Sequence, residues 1–315
     1  MNDFAESPIW SEADIRAQEK AKPINNPIRE ARAREQEREE LARLFRTIEL
    51  DFAGLSDELQ ERVVTMNEHQ KTMDDDAACA RLAMAVKDYR QKTGNEDPLS
   101  TEDWQHVGIA SMFTDTGKSG PREATGEQSR LINVMYGEDA LLRPNPAAWT
   151  VERFLNEYIK SYDTKEALNL LGEVDIPPDM SMRDFYNLHA GWSYNLIKDE
   201  PRLSKDVKVM AGLHHLLEGV NPEGLVDLSD DTLQIPSLDR TVDEREIWVM
   251  LLDKFQARLR RGGVSEEAAV GWLRDYVNKY VALKPYPAHF QSTLNRCVDD
   301  LEGMIQSSTL ELAAK

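Results

Sequence analysis

From residue 41 onward, apolar side chains recur every three or four positions, in blocks separated by polar or Pro/Gly-containing breaks. Leu41, Leu44, Phe45, Ile48 and Phe52 make the first stripe. Further stripes run over about 56–70, 75–92, 101–114, 127–136, 149–161, 164–171, 181–198, 204–217, 241–261, 265–282 and 287–307. That spacing puts the apolar residues of each block on one face of a helix. Breaks such as Gly94-Asn95-Glu96-Asp97-Pro98 and Asp175-Ile176-Pro177-Pro178-Asp179 end one block and begin another. There is no convincing alternating pattern of a strand and no internal repeat, so the expected fold is all-α.

Before the first stripe, Arg29 to Glu40 is dense in helix-favouring residues with opposite charges three and four apart, the pattern of a solvated helix face. Residues 1–26 are polar and carry Pro8 and Pro23, which predicts a flexible arm with Ile9 and Trp10 available for docking. The expected organisation is therefore an arm and charged helix over 1–55, a helical domain over 56–285 and a C-terminal helix over 286–315.

Composition narrows the function. The 315 residues are 41% hydrophobic and 30% charged, with a net charge of −19. So acidic a chain is unsuited to broad contact with a nucleic-acid backbone, although a local basic pocket for a phosphorylated small molecule stays open. Cys79 and Cys297 are too few for a disulfide framework. No apolar run reaches the roughly 20 residues that span a bilayer, and the N-terminus lacks the pattern of a signal peptide. These features predict a cytoplasmic protein. There is no Walker-type glycine loop and no cysteine cluster of zinc-binding spacing.

The candidate chemistry begins with the adjacent pair His214-His215, two of only six histidines. Neighbouring side chains lie about 100° apart on a helix, but at a helix end both rings can turn toward one centre. His189 sits upstream in an apolar stretch beside Leu188 and Trp192, and Phe113-Thr114-Asp115-Thr116-Gly117-Lys118-Ser119-Gly120 presents an acid, a glycine and a lysine at the end of a predicted helix. A carboxylate there can bridge divalent ions, and a lysine can neutralise a phosphate as a point charge. His106 reads as a packing residue and His289 as a loop or cap residue. The Met and Trp positions fit helix cores.

In their order these motifs resemble the HD superfamily of metal-dependent phosphohydrolases, and more particularly its HD-GYP branch, which cleaves cyclic dinucleotides. Asp115, Gly117, Lys118 and Gly120 match the His-Asp-x-Gly-Lys-x-Gly motif. His189 matches the lone histidine of a later helix, and His214-His215 match the paired ones. Glu218 to Leu225 looks like a shortened Gly-Tyr-Pro loop. Asp253, in Leu252-Asp253-Lys254-Phe255, is similar to the last ligand motif, and His69 stands about where the family's first histidine falls. Thr114 replaces the histidine of His-Asp, and the loop lacks its tyrosine and one glycine. The resemblance covers about residues 60–285, with an insertion at about 145–180.

The resemblance implies an HD-domain-like helical bundle with an N-terminal extension. It also implies one or two divalent ions, iron or manganese, held by His69, Asp115, His189, His214, His215 and Asp253. Asp115 and Lys118 would carry the catalysis, and the substrate would be a nucleotide or a cyclic dinucleotide such as cyclic di-GMP. The alternative is a degenerate, non-catalytic domain that binds a protein or senses a ligand, with the N-terminal arm and helix as a contact for a protein partner.

Overall fold

The computed structural model describes residues 27–70, 72–95, 97–139, 148–229, 232–284 and 286–313. The arm expected over 1–26, and the part of the expected insertion before residue 148, lie outside the described residues. Twelve α-helices run among them: α1 (Pro27–Arg46), α2 (Asp57–Gln70), α3 (Thr72–Thr93), α4 (Thr101–Ser111), α5 (Gly126–Asp139), α6 (Val151–Tyr158), α7 (Thr164–Gly172), α8 (Met182–Ile197), α9 (Lys205–Gly212), α10 (Glu244–Gly262), α11 (Glu266–Leu283) and α12 (Ala288–Ala313). A short antiparallel pair, β1 (Gln234–Ile235) with β2 (Arg240–Thr241), joins Gln234 to Thr241 and Ile235 to Arg240. The protein is all-α in class, as its apolar periodicity predicts.

Local chemistry sets the helix starts. Ser100 with Asp103 and Asp243 with Glu246 form reciprocal capping boxes on α4 and α10. Ser181, Ser204 and Ser265 accept backbone N–H groups at the starts of α8, α9 and α11. Each cap contributes about 1 kcal/mol by satisfying an otherwise unpaired donor. Two helices end earlier than their apolar stripes: the stripe over 101–114 stops being α-helix at Ser111, and that over 204–217 stops at Gly212. In both, the next bonds reach back three residues, as in Phe113 N–H to Ala110 O and Leu216 N–H to Leu213 O. The tighter turn re-aims the side chains that follow.

The chain divides into two compact units, Met1–Glu40 and Leu41–Lys315. In the first, the described residues belong to the charged run of α1. The second contains two apolar cores. The larger gathers Phe45, Trp104, Phe113, Trp248, Phe255 and Phe290, and the smaller Leu131, Ile132, Met135, Phe154, Leu171 and Phe185. Helix α8 belongs to both, placing Phe185 in the smaller and Leu196 and Ile197 in the larger. Residues 148–180 of the expected insertion supply α6 and α7 to the smaller core. The C-terminal helix α12 puts Phe290, Leu294, Val298 and Leu301 into the larger one.

Two buried arginines tie these parts together. The fully buried Arg90 lies 5.6 and 5.4 Å from the ring centroids of Trp104 and Trp248. It donates to Glu244 (2.7 Å), Asp97 (3.1 Å) and Asp300 (2.7 and 2.9 Å), joining α3, α10 and α12. Arg62 on α2 donates to the carbonyls of Ser119 (3.0 Å), Pro121 (3.1 Å), Arg122 (2.6 Å) and Ala124 (2.9 Å), and to the Ser129 hydroxyl. The loop that follows Lys118 is thereby fastened to α2.

Candidate metal centre

The seam between the two cores opens into a cavity of about 510 Å³. Asp115 and Lys118 reach it from the turn after α4, His189 from α8, His215 and Glu218 from the turn after α9, and Asp253 and Lys254 from α10. His214 is fully buried behind His189.

The Asp115 turn is held against α8 by a very close backbone approach. A Cβ on Gly117 would stand 2.0 Å from the His189 carbonyl oxygen and 2.5 Å from the Ser193 nitrogen, so only glycine fits. Gly117 N–H donates to Ser193 Oγ (2.8 Å), and that hydroxyl donates to the Thr114 carbonyl (2.6 Å). Thr114 is buried, and its own hydroxyl donates to the Ser111 carbonyl (3.1 Å).

The three imidazoles converge as the helix-end argument predicts for the pair. Ring centroids are 5.0 Å apart for His189 and His214, 4.8 Å for His189 and His215, and 4.4 Å for His214 and His215. His189 Nδ1 lies 2.5 Å from the Tyr186 carbonyl and His214 Nδ1 2.6 Å from the Ala211 carbonyl. A carbonyl only accepts, so each Nδ1 carries a proton and each ring turns its Nε2 away from that carbonyl. Those two Nε2 atoms face each other at 3.0 Å. Two lone pairs at that distance repel unless a cation, a proton or a metal ion, lies between them. Asp115 Oδ1, 3.5 Å from His189 Nε2, adds an anionic donor there.

The protonation states fit such an occupant. Burial, and after it the neighbouring His189, push His214 down to about 3. Burial and then Lys254 hold His215 well below the ordinary range, so both imidazoles are neutral donors. Burial opposes the charge on Asp115, but the adjacent Lys118 and then His189 outweigh it and hold the carboxyl well below the usual range. Asp253 is lowered in the same way, burial being overcome by Lys254 and then His214. The ligand atoms of His189, His214 and His215 lie within 4.8 Å of one another, with Asp115 beside His189, and imidazoles so gathered suit a borderline divalent ion.

Of the residues expected to form the site, Asp115, Lys118, His189, His214, His215 and Asp253 are brought together. His69 falls in α2, and its side chain lies outside the described residues. From the early helices, α3 instead brings Asp75, Asp76 and Cys79 to the cavity. Asp76 is buried, its Oδ2 has no hydrogen-bond partner, and burial and then Asp115 raise its pKa well above the usual range. Burial likewise raises the Cys79 thiol, whose Sγ donates to the Leu252 carbonyl (3.4 Å).

Glu218 and Lys254 are also at the site. The ammonium of Lys254 lies 2.8 Å from Asp253 Oδ2, 2.9 Å from Glu218 Oε1 and 3.1 Å from His215 Nε2. One wall is aromatic: Trp272, Tyr276 and Tyr280 of α11, four residues apart, line it in sequence, with centroids 5.2 and 4.8 Å apart. Trp272 packs against the larger core, as its helical spacing predicts, and also lines the cavity. His289 is exposed on the first turn of α12. No protein-family model matches the chain, and comparison with curated proteins and with solved structures gives no match.

Proposed function

We propose that the protein binds a divalent transition metal, iron or manganese, at His189, His214 and Asp115, with His215 beside them, and that it hydrolyses a phosphate ester there. The 3.0 Å approach of the two Nε2 atoms, on rings whose Nδ1 atoms both face carbonyls, carries the metal part of this reading. Metal–imidazole bonds of about 2.1 Å at right angles hold donor atoms about 3.0 Å apart. The motif order that resembles the HD-GYP branch supports the reaction class.

When bound, such an ion supplies Lewis acidity toward a phosphoryl oxygen. The rest falls to the chain's own side chains. Asp115 offers one oxygen on the His189 side and the other to Lys118, which lies three residues on in the same turn. Lys118 is thus placed to offset the negative charge that grows on a phosphate during displacement. In a chain of net charge −19, the cavity is lined by six cations, Lys118, Arg183, Lys254, Arg258, Arg260 and Lys279, against five carboxylates. That local reversal of charge suits an anionic ligand. The Trp272, Tyr276 and Tyr280 wall suits a planar base, since aromatic faces stack on any nucleobase. A nucleotide or cyclic dinucleotide combines both features.

The test is elemental analysis after anaerobic reconstitution with iron(II) or manganese(II), followed by hydrolysis of bis(p-nitrophenyl) phosphate. Asp115→Ala is expected to lose metal and activity together. Lys118→Ala is expected to keep its metal and lose about 10- to 100-fold in turnover, because it acts on substrate charge alone. Absence of metal in the reconstituted wild type overturns the metal reading. Metal without hydrolysis of any phosphodiester leaves a metal-bound binding module, which the commitment of the Thr114 hydroxyl to Ser111 favours.

A further inference from the structure

We propose that Lys254 is a tethered cation that limits the centre to a single metal ion by occupying the place a second would take. The inference rests on the metal reading above.

An ammonium has three N–H donors and no acceptor. Lys254 finds three matching acceptors: Asp253 Oδ2 at 2.8 Å, Glu218 Oε1 at 2.9 Å and His215 Nε2 at 3.1 Å. Two carboxylates and an imidazole are also the donor set that a divalent ion of this kind would take. All three converge on one point, and a monovalent charge built into the chain already fills it. The side chain is only 9% exposed, so the ammonium has little solvent to replace the three acceptors. A divalent ion arriving among these donors would meet a fixed positive charge at bonding distance from each of them.

The bond to His215 has a second effect. If its Nε2 accepts from Lys254, its proton is on Nδ1, on the side where Glu218 Oε1 lies 3.5 Å away. That tautomer leaves His215 without a free lone pair and removes it from the ligand set. His189, His214 and Asp115 then remain as the ligands of one ion, and they are the groups Lys254 does not touch. Lys118 does not play the same part, because it pairs with one oxygen of Asp115 and leaves the other facing His189.

Manganese(II) is the probe. Metal-free wild-type protein, loaded anaerobically to saturation and desalted, is expected to retain one manganese per chain, with the six-line electron paramagnetic resonance signal of an isolated ion. Lys254→Met, which keeps the stem and removes the charge, is expected to retain two and to show the exchange-coupled signal of a close pair. Lys254→Arg should return the count to one. Two coupled ions in the wild type, or one in folded Lys254→Met, overturns the inference and leaves the metal reading intact. No ion in wild type or variant overturns the metal reading, and the inference with it. If Lys254→Met does not fold, the wild-type titration decides alone: saturation at one uncoupled ion supports the proposal and saturation at two refutes it.

Discussion

Replacing Gly117 with alanine adds one methyl group, and the backbone around it leaves no room. The new Cβ would lie 2.0 Å from the His189 carbonyl oxygen and 2.5 Å from the Ser193 nitrogen. Ordinary carbon–oxygen contact is above 3 Å, so the turn and α8 must separate by about 1 Å. Both close atoms are backbone, and no side chain can swing away to absorb the change. Overpacking of this kind costs about 1–3 kcal/mol. The separation also breaks the 2.8 Å bond from Gly117 N–H to Ser193 Oγ, at about 1 kcal/mol. The expected loss is therefore about 2–4 kcal/mol, measured as a lower urea midpoint at unchanged slope. Because Asp115 and His189 ride on the two surfaces forced apart, affinity for manganese should fall as well. Gly126→Ala is the control, since a Cβ there meets nothing within 4 Å, and its effect should stay within about 0.5 kcal/mol. A Gly117→Ala protein as stable as the wild type would refute the close approach and the geometry built on it.

Acid should destabilise the metal-free protein. The His214 pKa of about 3 lies below the unfolded value of about 6.5, so between these values only the unfolded chain takes up the proton. Stability is complete above pH 6.5 and declines toward pH 3 by at most about 1.4 kcal/mol per pH unit for this group. His215 adds to the same trend, and Asp115, also depressed, adds its loss at the acid end. A urea midpoint that stays flat from pH 7 to 5, or a slope unchanged by His214→Gln, would count against the buried neutral pair. Arg90→Leu should cost about 3–5 kcal/mol in the same assay, because it strands the buried Glu244 carboxylate; a cost under 1 kcal/mol would mean that Arg296, the other cation on Glu244, suffices.

Much of the fold can be read from the chain because its helices announce themselves locally. Ser100 with Asp103, Ser181 and Asp243 with Glu246 mark starts, and apolar stripes mark the buried faces. The stripes mislead where they run on through Thr114 and Leu217, since residues of a tight turn can be as buried as those of a helix. Among the site residues, the histidines stand out because so few occur. Asp75 and Asp76 do not: three consecutive aspartates at the start of α3 look like favourable charges at a helix N-terminus, and only tertiary packing buries one of them. Lys254 is hidden for a related reason. It adjoins Asp253, and helical geometry alone would point the two apart, but its long stem bends the ammonium back to its neighbour. The Trp272, Tyr276 and Tyr280 row has the spacing of a core stripe, and sequence cannot say that a cavity rather than a helix lies against it.

The Arg62 clamp couples the cavity to a helix that contributes none of the side chains described at its walls. Its guanidinium gathers four carbonyls from the loop just beyond Lys118 and the Ser129 hydroxyl of α5, so that loop has little independent freedom to open. Fraying of α2 and loosening of the Asp115 turn are then one event rather than two. A ligand that binds only the closed turn therefore also resists the opening of α2, by the same free energy with which it favours the closed state. Amide hydrogens on the face of α2 around Arg62 would slow their exchange with solvent when the cavity fills, making that helix a remote reporter of occupancy.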